Sequence, residues 1–357
     1  MKYIAVEKAL SEKIGRLSAG AKLPTFKELY TELDISQSTL DRALRSLEEK
    51  GAITKRRGSG IFVAQNGNGK SRTFNIGVLV SDITNRFCAL LVRGIEAGLS
   101  ARGYRMLLCN GANELQKEIG IISSMREKID ALIVFPTTSN ALNPEYASSL
   151  MELERKTKIP FVFVNMAVGG LGGNFVGFDE YGAITDVTAS LIQKVPDRRV
   201  IYLGQAGSII GAQRFLGFED ALLKLKVPVE KVGIHYFSNK FRNSFAQVMA
   251  EVRNTPSIII AANPDLLLDL INIVRRKNMR IPDDIIVAGV VEEDYRNYLD
   301  APVVALVKPS TEIGGKAARM ALDILSGAKE TNSCRLKLAV RIPDEVRKFL
   351  AASASAK

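Results

Sequence analysis

The sequence predicts a multidomain protein in which a small N-terminal winged helix-turn-helix domain (α+β) precedes a larger, two-lobed α/β domain. Residues 20–64 combine helix caps, a glycine stop and a basic hairpin, whereas residues 65–73 contain no apolar side chain. From Phe74 onward, apolar strands alternate with helical patterns. The predicted bounds are 1–64 for the DNA-binding domain, 65–73 for a flexible linker, 74–342 for the large domain and 343–357 for a C-terminal tail.

Composition limits the classes of function. The 357 residues carry a formal charge of +11, which favours a polyanionic partner. The three cysteines, Cys88, Cys109 and Cys334, are far apart, as expected in a reducing compartment without a disulfide framework. Charges interrupt the apolar residues of the N-terminal stretch MKYIAVEKAL, and no apolar run approaches the ~18 residues of a membrane span. We therefore expect a cytoplasmic protein with no membrane segment.

Caps and spacing define three helices in the first 64 residues. Helical spacing of apolar residues predicts the first one, with Val6, Leu10, Ile14 and Leu17 on one face. Thr25 and Glu28 form a capping-box pattern for a second helix that runs to Leu33. Ser36 caps a third helix, which ends at Gly51 and buries a stripe of Leu40, Ala43, Leu44 and Leu47.

A basic hairpin follows the third helix. Its strands are Ile53–Arg56 and Ile61–Val63. Between residues 50 and 72 the sequence has six basic residues and no acidic one: Lys50, Lys55, Arg56, Arg57, Lys70 and Arg72. Such a hairpin suits phosphate contact or minor-groove insertion, although a solvated charged face is the alternative.

This region resembles the winged helix-turn-helix domain of GntR-family regulators. The resemblance rests on Leu23-Pro24-Thr25, Lys27-Glu28-Leu29, the run Ile35 to Leu40 and the run Gly58 to Val63. It implies that a double-stranded DNA operator is contacted by Lys27, Ser36, Gln37, Ser38, Thr39, Arg57 and Gly58. Arg42, which follows Asp41 in the sequence, is a further candidate for a phosphate contact. Gln37 stands where the family commonly has arginine, and Asp41 where it has a basic residue. Because glutamine reads adenine and arginine reads guanine, the operator should differ from the usual family site.

The large domain begins with a β-α-β-α-β pattern. Its strands are predicted at Phe74–Val80, Arg105–Cys109 and Ala131–Phe135. Continuous apolar strands of this kind indicate a parallel sheet covered on both faces. The strands that follow are too numerous for one sheet, so we expect two lobes, with ligands binding beyond the carboxyl ends of the strands. The predicted lobes are 74–164 with 291–326, and 165–290 with 334–342, and the chain crosses near Asn165, near Val290 and within 326–334.

This domain resembles the effector domain of LacI-type repressors and the periplasmic sugar-binding proteins. The residues that carry the likeness are the run Ile76 to Asn85, the run Val92 to Glu96, Asp130 to Ile133, Arg214 with Gly217-Phe218, and Ile281 to Asp284. A GntR-type DNA-binding domain joined to such an effector domain resembles the arabinose-repressor class of regulators. The resemblance implies a homodimer and a repressor of carbohydrate-utilisation genes. Because two linked copies gain affinity through effective concentration, we expect a pseudo-palindromic operator. A sugar or sugar-derived effector would release the repressor.

Five residues are candidates for contacting the effector: Phe87, Cys88, Arg214, Asn263 and Lys308. All five come from family positions, and the planar guanidinium of Arg214 suits vicinal hydroxyls or a carboxylate. Val291 stands where the family has an aspartate, and Lys308 adds a base, so an acidic sugar or a sugar phosphate remains open beside a neutral sugar. The alternatives are that Arg214 only pins a helix and that Asn263 only makes a turn. Asp179 is predicted to cap a helix, and His235 to be a strand residue.

No pattern points to catalysis. The sequence has no Gly-x-Ser-x-Gly elbow, no phosphate-binding P-loop and no metal-ligand spacing. We expect no enzyme activity, no metal and no cofactor. Two alternatives remain: a regulator whose large domain binds a non-sugar molecule or none, and a pyridoxal-phosphate-type GntR regulator.

Overall fold

The computed structural model describes residues 2–15, 17, 20–56, 58–64, 72–169, 171, 173–237, 244–253, 255–327 and 333–355. The chain divides into two compact units. Unit 1 comprises Met1–Val176 and Thr311–Ser333, and unit 2 comprises Gly177–Ser310 and Cys334–Lys357. None of the described helices combines the length and the apolar character needed to cross a bilayer.

Unit 1 begins with the winged helix-turn-helix. Its elements are α1 (Lys2–Ile14), α2 (Phe26–Glu32), α3 (Gln37–Glu49), β1 (Ile53–Arg56) and β2 (Gly60–Val63). The predicted capping box is confirmed: the Thr25 hydroxyl accepts from the Glu28 N–H, and the Glu28 carboxylate accepts from the Thr25 N–H at 2.6 Å. Ser36 caps α3, which buries Leu40, Ala43, Leu44 and Leu47 as predicted. The wing is an antiparallel pair in which Ile53 lies opposite Val63.

An α/β layer completes unit 1. Its elements are β3 (Asn75–Val80), α4 (Arg86–Ser100), β4 (Arg105–Asn110), α5 (Leu115–Ser124), β5 (Ala131–Phe135), α6 (Thr138–Ala141), α7 (Pro144–Thr157), β6 (Phe161–Val164) and β7 (Phe175–Phe178). These strands are parallel and have the spatial order β4-β3-β5-β6-β7. Tyr146 and Phe163 are among the large side chains buried in its core.

Unit 2 has its own six-stranded sheet. Its elements before the next crossing are α8 (Glu180–Lys194), β8 (Arg199–Gln205), α9 (Ile209–Lys224), β9 (Val232–Phe237), α10 (Ser244–Val252), β10 (Ser257–Ala261), α11 (Pro264–Arg276), β11 (Ile285–Glu292) and β12 (Val304–Lys308). The helix α12 (Ser310–Leu325) belongs to unit 1 from Thr311 onward, and it is followed by β13 (Cys334–Leu336), β14 (Ala339–Arg341) and α13 (Asp344–Ser355). The strand β13 is not part of the sheet of unit 2. The strand order is β9-β8-β10-β11-β12-β14, and β14 alone among these runs antiparallel to its neighbour.

Two predicted lobe boundaries need correction. The strand β7 belongs to the sheet of unit 1, because Phe175 lies in parallel register with Phe163 of β6. The first crossing therefore falls after Val176, not near Asn165. The strand β12 pairs with β11 in unit 2, so the second crossing falls after Ser310 and not near Val290. The third crossing lies between 333 and 334, within the predicted segment, of which residues 328–332 are outside the described part.

The predicted C-terminal tail is a helix of unit 2. In α13, Val346 and Leu350 are buried. The guanidinium of Arg198 lies 4.9 Å from the centroid of the Phe349 ring. The tail is therefore part of the folded body, and apolar spacing at i and i+4 explains why it forms a helix.

In unit 1, α4 and α12 approach each other through glycines. A Cβ on Gly94 would overlap the carbonyl oxygen of Thr311 and lie 2.9 Å from its carbonyl carbon. A Cβ on Gly98 would lie 2.8 Å from the Cβ of Ala318. These contacts leave no room for a side chain, so the two backbones meet directly.

Arg72 ties the winged domain to the rest of unit 1. Its Nη1 donates to the Lys50 carbonyl and to the Tyr104 hydroxyl, each at 2.8 Å, and its Nη2 donates to the Leu325 carbonyl. The next residue, Thr73, donates its N–H to Asp130 at 2.8 Å. The end of the predicted linker at residues 72 and 73 is thus anchored, and residues 65–71 lie outside the described part.

Candidate DNA-reading and effector sites

The first turn of α3 presents the predicted DNA-reading residues. Ser36, Gln37 and Ser38 are exposed, and Thr39 is half-buried. The hydroxyl of Ser36 lies 3.1 Å from that of Ser38 and 2.7 Å from that of Thr39, so capping and hydroxyl contacts already engage it. Gln37 extends from the helix N-terminus, where recognition helices present side chains to base edges.

The remaining DNA candidates surround that turn. Lys27 is exposed on α2, and Gly58 is exposed at the wing tip with a φ of 76°, a conformation that favours glycine. The Arg42 guanidinium lies 4.9 Å from the Tyr3 ring centroid, which orients it without removing its charge. Arg57 lies outside the described residues.

The charges near the wing are partly compensated, which the sequence reading missed. Lys50 forms an ion pair with Glu7 of α1, and Lys55 lies 3.2 Å from the Glu48 carboxylate of α3. Asp41, which stands where the family has a basic residue, pairs with Arg45 at 3.0 Å. The basic run is therefore not wholly unopposed, because acids distant in sequence fold back onto it.

Phe87 and Cys88 are buried at the start of α4 in unit 1. The Phe87 ring packs edge-on against Phe135, at the carboxyl end of β5, with 5.0 Å between centroids. Cys88 has no exposed surface. Phe87 thus lies at the carboxyl edge of this sheet, where ligands were expected to bind. Cys88 is a core residue in the described conformation.

Arg214 of α9 is held by a carboxylate that the sequence reading missed. Its Nε and Nη2 each donate to Glu180 at 2.9 Å, and its Nη1 donates to the Ala262 carbonyl. Both side chains are buried, with relative exposures of 8% and 2%. Burial raises the pKa of Glu180, but the charge and hydrogen bonds of Arg214 outweigh it and hold that pKa below its usual range. The guanidinium fork therefore faces a protein carboxylate.

A second buried ion pair lies at the carboxyl ends of β11 and β12. Glu292 and Lys308 are the last residues of these strands and lie directly opposite in register. The Lys308 Nζ is 2.5 Å from the Glu292 carboxylate, whose other oxygen accepts from the Ser310 hydroxyl. The charge of Lys308 also acts on Glu180, and that of Glu292 on Arg214. We call these four residues, Glu180, Arg214, Glu292 and Lys308, the charge quartet.

The last effector candidate, Asn263, is the cap of α11. Its Oδ1 accepts from the Asp265 N–H at 2.8 Å, so the turn that was the alternative to an effector contact is present. Its Nδ2 donates to the Gln205 Oε1 at 2.9 Å, at the carboxyl ends of β10 and β8. Gln205 is exposed, and the amide pair offers hydrogen-bonding groups at the sheet edge that holds the quartet.

The two other predicted roles also have structural outcomes. Asp179 caps α8 by accepting from the Gly182 N–H at 2.9 Å, as predicted. His235 lies on β9, as predicted, with its Nε2 2.9 Å from the Glu251 carboxylate.

Comparison with known proteins supports both predicted domain types. Residues 2–63 match the gntR family of bacterial regulatory proteins, and residues 197–343 match the periplasmic binding protein-like domain. The arabinose metabolism transcriptional repressor of Geobacillus stearothermophilus is 27% identical over 91% of this chain and 91% of its own length. The ribose operon repressor of Bacillus subtilis is 26% identical over 70% of this chain and 73% of its own length.

Among solved structures, a LacI family transcriptional regulator from Enterococcus faecium with bound ribose superposes with a TM-score of 0.62. It is 22% identical, and the match covers 75% of this chain and 96% of that chain. At this identity the likeness shows the fold. The two predicted resemblances and the predicted fold class are thus confirmed.

Proposed function

We propose that this chain, which joins a GntR-type helix-turn-helix domain to a periplasmic-binding-protein-like domain, is a DNA-binding transcriptional repressor of carbohydrate-utilisation genes. A sugar or sugar-derived effector releases it from its operator. The observation that carries the proposal is the coexistence of a capped recognition helix with an exposed first turn in unit 1 and a polar carboxyl edge on the mainly parallel sheet of unit 2. The proposal assigns the chain no catalysis or cofactor and places its work in the cytoplasm.

In this proposal α3 reads the operator in the major groove. Gln37 reads a base edge, Lys27 and Arg42 contact phosphates, and the hydroxyls of Ser36, Ser38 and Thr39 complete the contact around the helix start. Gly58 and Arg57 reach the backbone or the minor groove from the wing. In unit 2 the proposed effector-facing residues are Arg214, Asn263 and Lys308. In unit 1 the candidates are Phe87 and Cys88, of which the fully buried Cys88 is assigned no direct contact. Arg214 and Lys308 act through the carboxylates that they hold.

Replacing Gln37 with alanine should relax the preference at one base pair by roughly 1–3 kcal/mol, because a bidentate base contact is lost. Replacing Arg57 with alanine should weaken binding to all DNA sequences about equally. It should also reduce the slope of log binding constant against log salt concentration by about one, because one phosphate contact is lost. Fluorescence anisotropy with operator DNA and single-base variants, over a salt series, measures both effects. The exposed Gln116 of α5 provides the matched control, Gln116→Ala, which should bind like the parent. Parental specificity and parental salt slope in both test variants would show that the domain does not read DNA in this way.

The protein should act as a homodimer on a pseudo-palindromic operator. One recognition helix reads only a few base pairs, and two linked copies gain affinity through effective concentration. The large domains should hold the dimer, so analytical ultracentrifugation at micromolar concentration should show two chains per particle without DNA. A monomer both with and without operator would contradict this assembly.

A further inference from the structure

The charge quartet restricts the chemistry of the effector. Two carboxylates and two cations lie together at one sheet edge of unit 2, and each cation has a carboxylate in direct contact. The formal charge of the quartet is therefore zero. The sequence alone suggested a lost acid at Val291 and an added base at Lys308, but Glu180 and Glu292 restore the balance.

We infer that the effector is an uncharged polyhydroxylated molecule, and that Glu180, by occupying the fork of Arg214, excludes sugar acids and sugar phosphates. This inference rests on the proposed function and names the class of ligand for the same site. The bidentate contact to Glu180 matches the geometry by which a free arginine would grip a carboxylate or phosphate.

An anionic effector would have to compete with that contact. To take the Arg214 fork, it would leave Glu180 buried without a partner, which is strongly unfavourable. If the anionic effector instead stayed outside the Arg214 fork, it would lie near two fixed carboxylates, and each cation of the quartet would already be paired with one of them. Both arrangements penalise negative charge, and the penalty is large because the groups are buried and poorly screened.

A neutral polyol meets no such penalty. Hydroxyls both donate and accept, so they match carboxylate oxygens that retain lone pairs and the amides of Gln205 and Asn263. The exposed side chain of Gln205, at the end of β8, gives such a ligand a polar group at the rim of the quartet.

Matched neutral and anionic ligands test the inference on the full chain. The panel comprises D-glucose, D-gluconate and D-glucose 6-phosphate, L-arabinose and L-arabinonate, and D-ribose and D-ribose 5-phosphate. Thermal unfolding and operator anisotropy are recorded with each compound, because a ligand that binds only the folded state raises the Tm. We expect only neutral members to raise the Tm of the parent protein and to release DNA.

The variant Glu180→Gln removes the charge while keeping a side-chain oxygen that can accept from Arg214. Calorimetric titration should show that it gains about tenfold or more in affinity for the anionic relative of the active neutral sugar. The exposed Glu219 of α9 supplies the control Glu219→Gln, which changes the net charge equally and should gain nothing.

The outcomes separate the inference from the proposed function. If a sugar acid or phosphate stabilises the parent protein and releases DNA while its neutral relative does not, the inference is wrong and carbohydrate sensing stands. If Glu180→Gln folds but gains no affinity for anions, the role of Glu180 is wrong. If Glu180→Gln does not fold, the parent panel still decides the ligand class. If no compound has an effect, carbohydrate sensing and the inference both fail.

Discussion

Replacing Gly94 with alanine is expected to destabilise unit 1 by about 3 kcal/mol, the upper range for overpacking a rigid contact. The added Cβ would overlap the Thr311 carbonyl oxygen and lie 3.1 Å from the Gly315 nitrogen. Backbone atoms of α12 cannot rotate aside as a flexible side chain can. Chemical denaturation followed by circular dichroism measures the loss.

The helix α5 supplies a matched control for this prediction. A Cβ on Gly120 would meet no heavy atom within 4 Å. Gly120→Ala should therefore be neutral or stabilise by about 0.5–1 kcal/mol, because alanine is the better helix former. Equal stability of the two variants would show that α4 and α12 do not meet through their backbones.

Replacing Arg214 with methionine should cost about 3–5 kcal/mol, because the substitution leaves the Glu180 carboxylate buried and unpaired. The double variant Arg214→Met with Glu180→Leu should recover most of the loss, since it removes both charges. The pair Arg280–Asp284, 2.9 Å apart, joins an exposed arginine to a half-buried aspartate at the surface. It provides the control Arg280→Met, which should cost less than about 1 kcal/mol. Thermal and urea unfolding of the four proteins measure these differences.

The loss caused by Arg214→Met should depend on pH. In the parent, Arg214 lowers the pKa of Glu180, so that stabilisation is present above the unfolded pKa and is lost as pH falls through the folded one. In the variant, burial raises the pKa of Glu180 and is opposed only by the weaker influence of the Lys308 charge, so acid protonates Glu180 and relieves the penalty. The deficit should be largest near neutral pH and narrow on acidification. A deficit constant from pH 7 to pH 4 would contradict the ion-pair account.

Local patterns were sufficient to predict the helix-turn-helix. Thr25 contacts Glu28, and Ser36 contacts Thr39, in each case three positions along the chain. Residues this close in sequence meet within one helical turn, so the sequence alone predicts both caps. The strand β3 was predicted because a continuous apolar run is typical of a parallel strand buried on both faces.

Long-range pairing accounts for what the sequence reading missed. Glu180 and Arg214 are 34 positions apart, and only the packing of α8 on α9 brings them together. Glu292 and Lys308 are a register pair, but β12 was not predicted, so the partner of Lys308 could not be assigned. The sequence therefore showed the cations of unit 2 without the carboxylates that neutralise them.

The hydrogen bonds of Arg72 have a consequence for the entropy of operator recognition. Arg72 bonds the Lys50 carbonyl at the end of α3, the Tyr104 hydroxyl and the Leu325 carbonyl. These bonds restrict the rotation of the winged domain in the free protein. The cost of that restriction is met during folding, so less orientational freedom remains to be lost on binding. The same restriction limits the angles between two half-sites, measured around the DNA axis, at which the protein can bind both. One inserted base pair turns a half-site by about 35° around the duplex, since B-DNA has about 10–10.5 base pairs per turn.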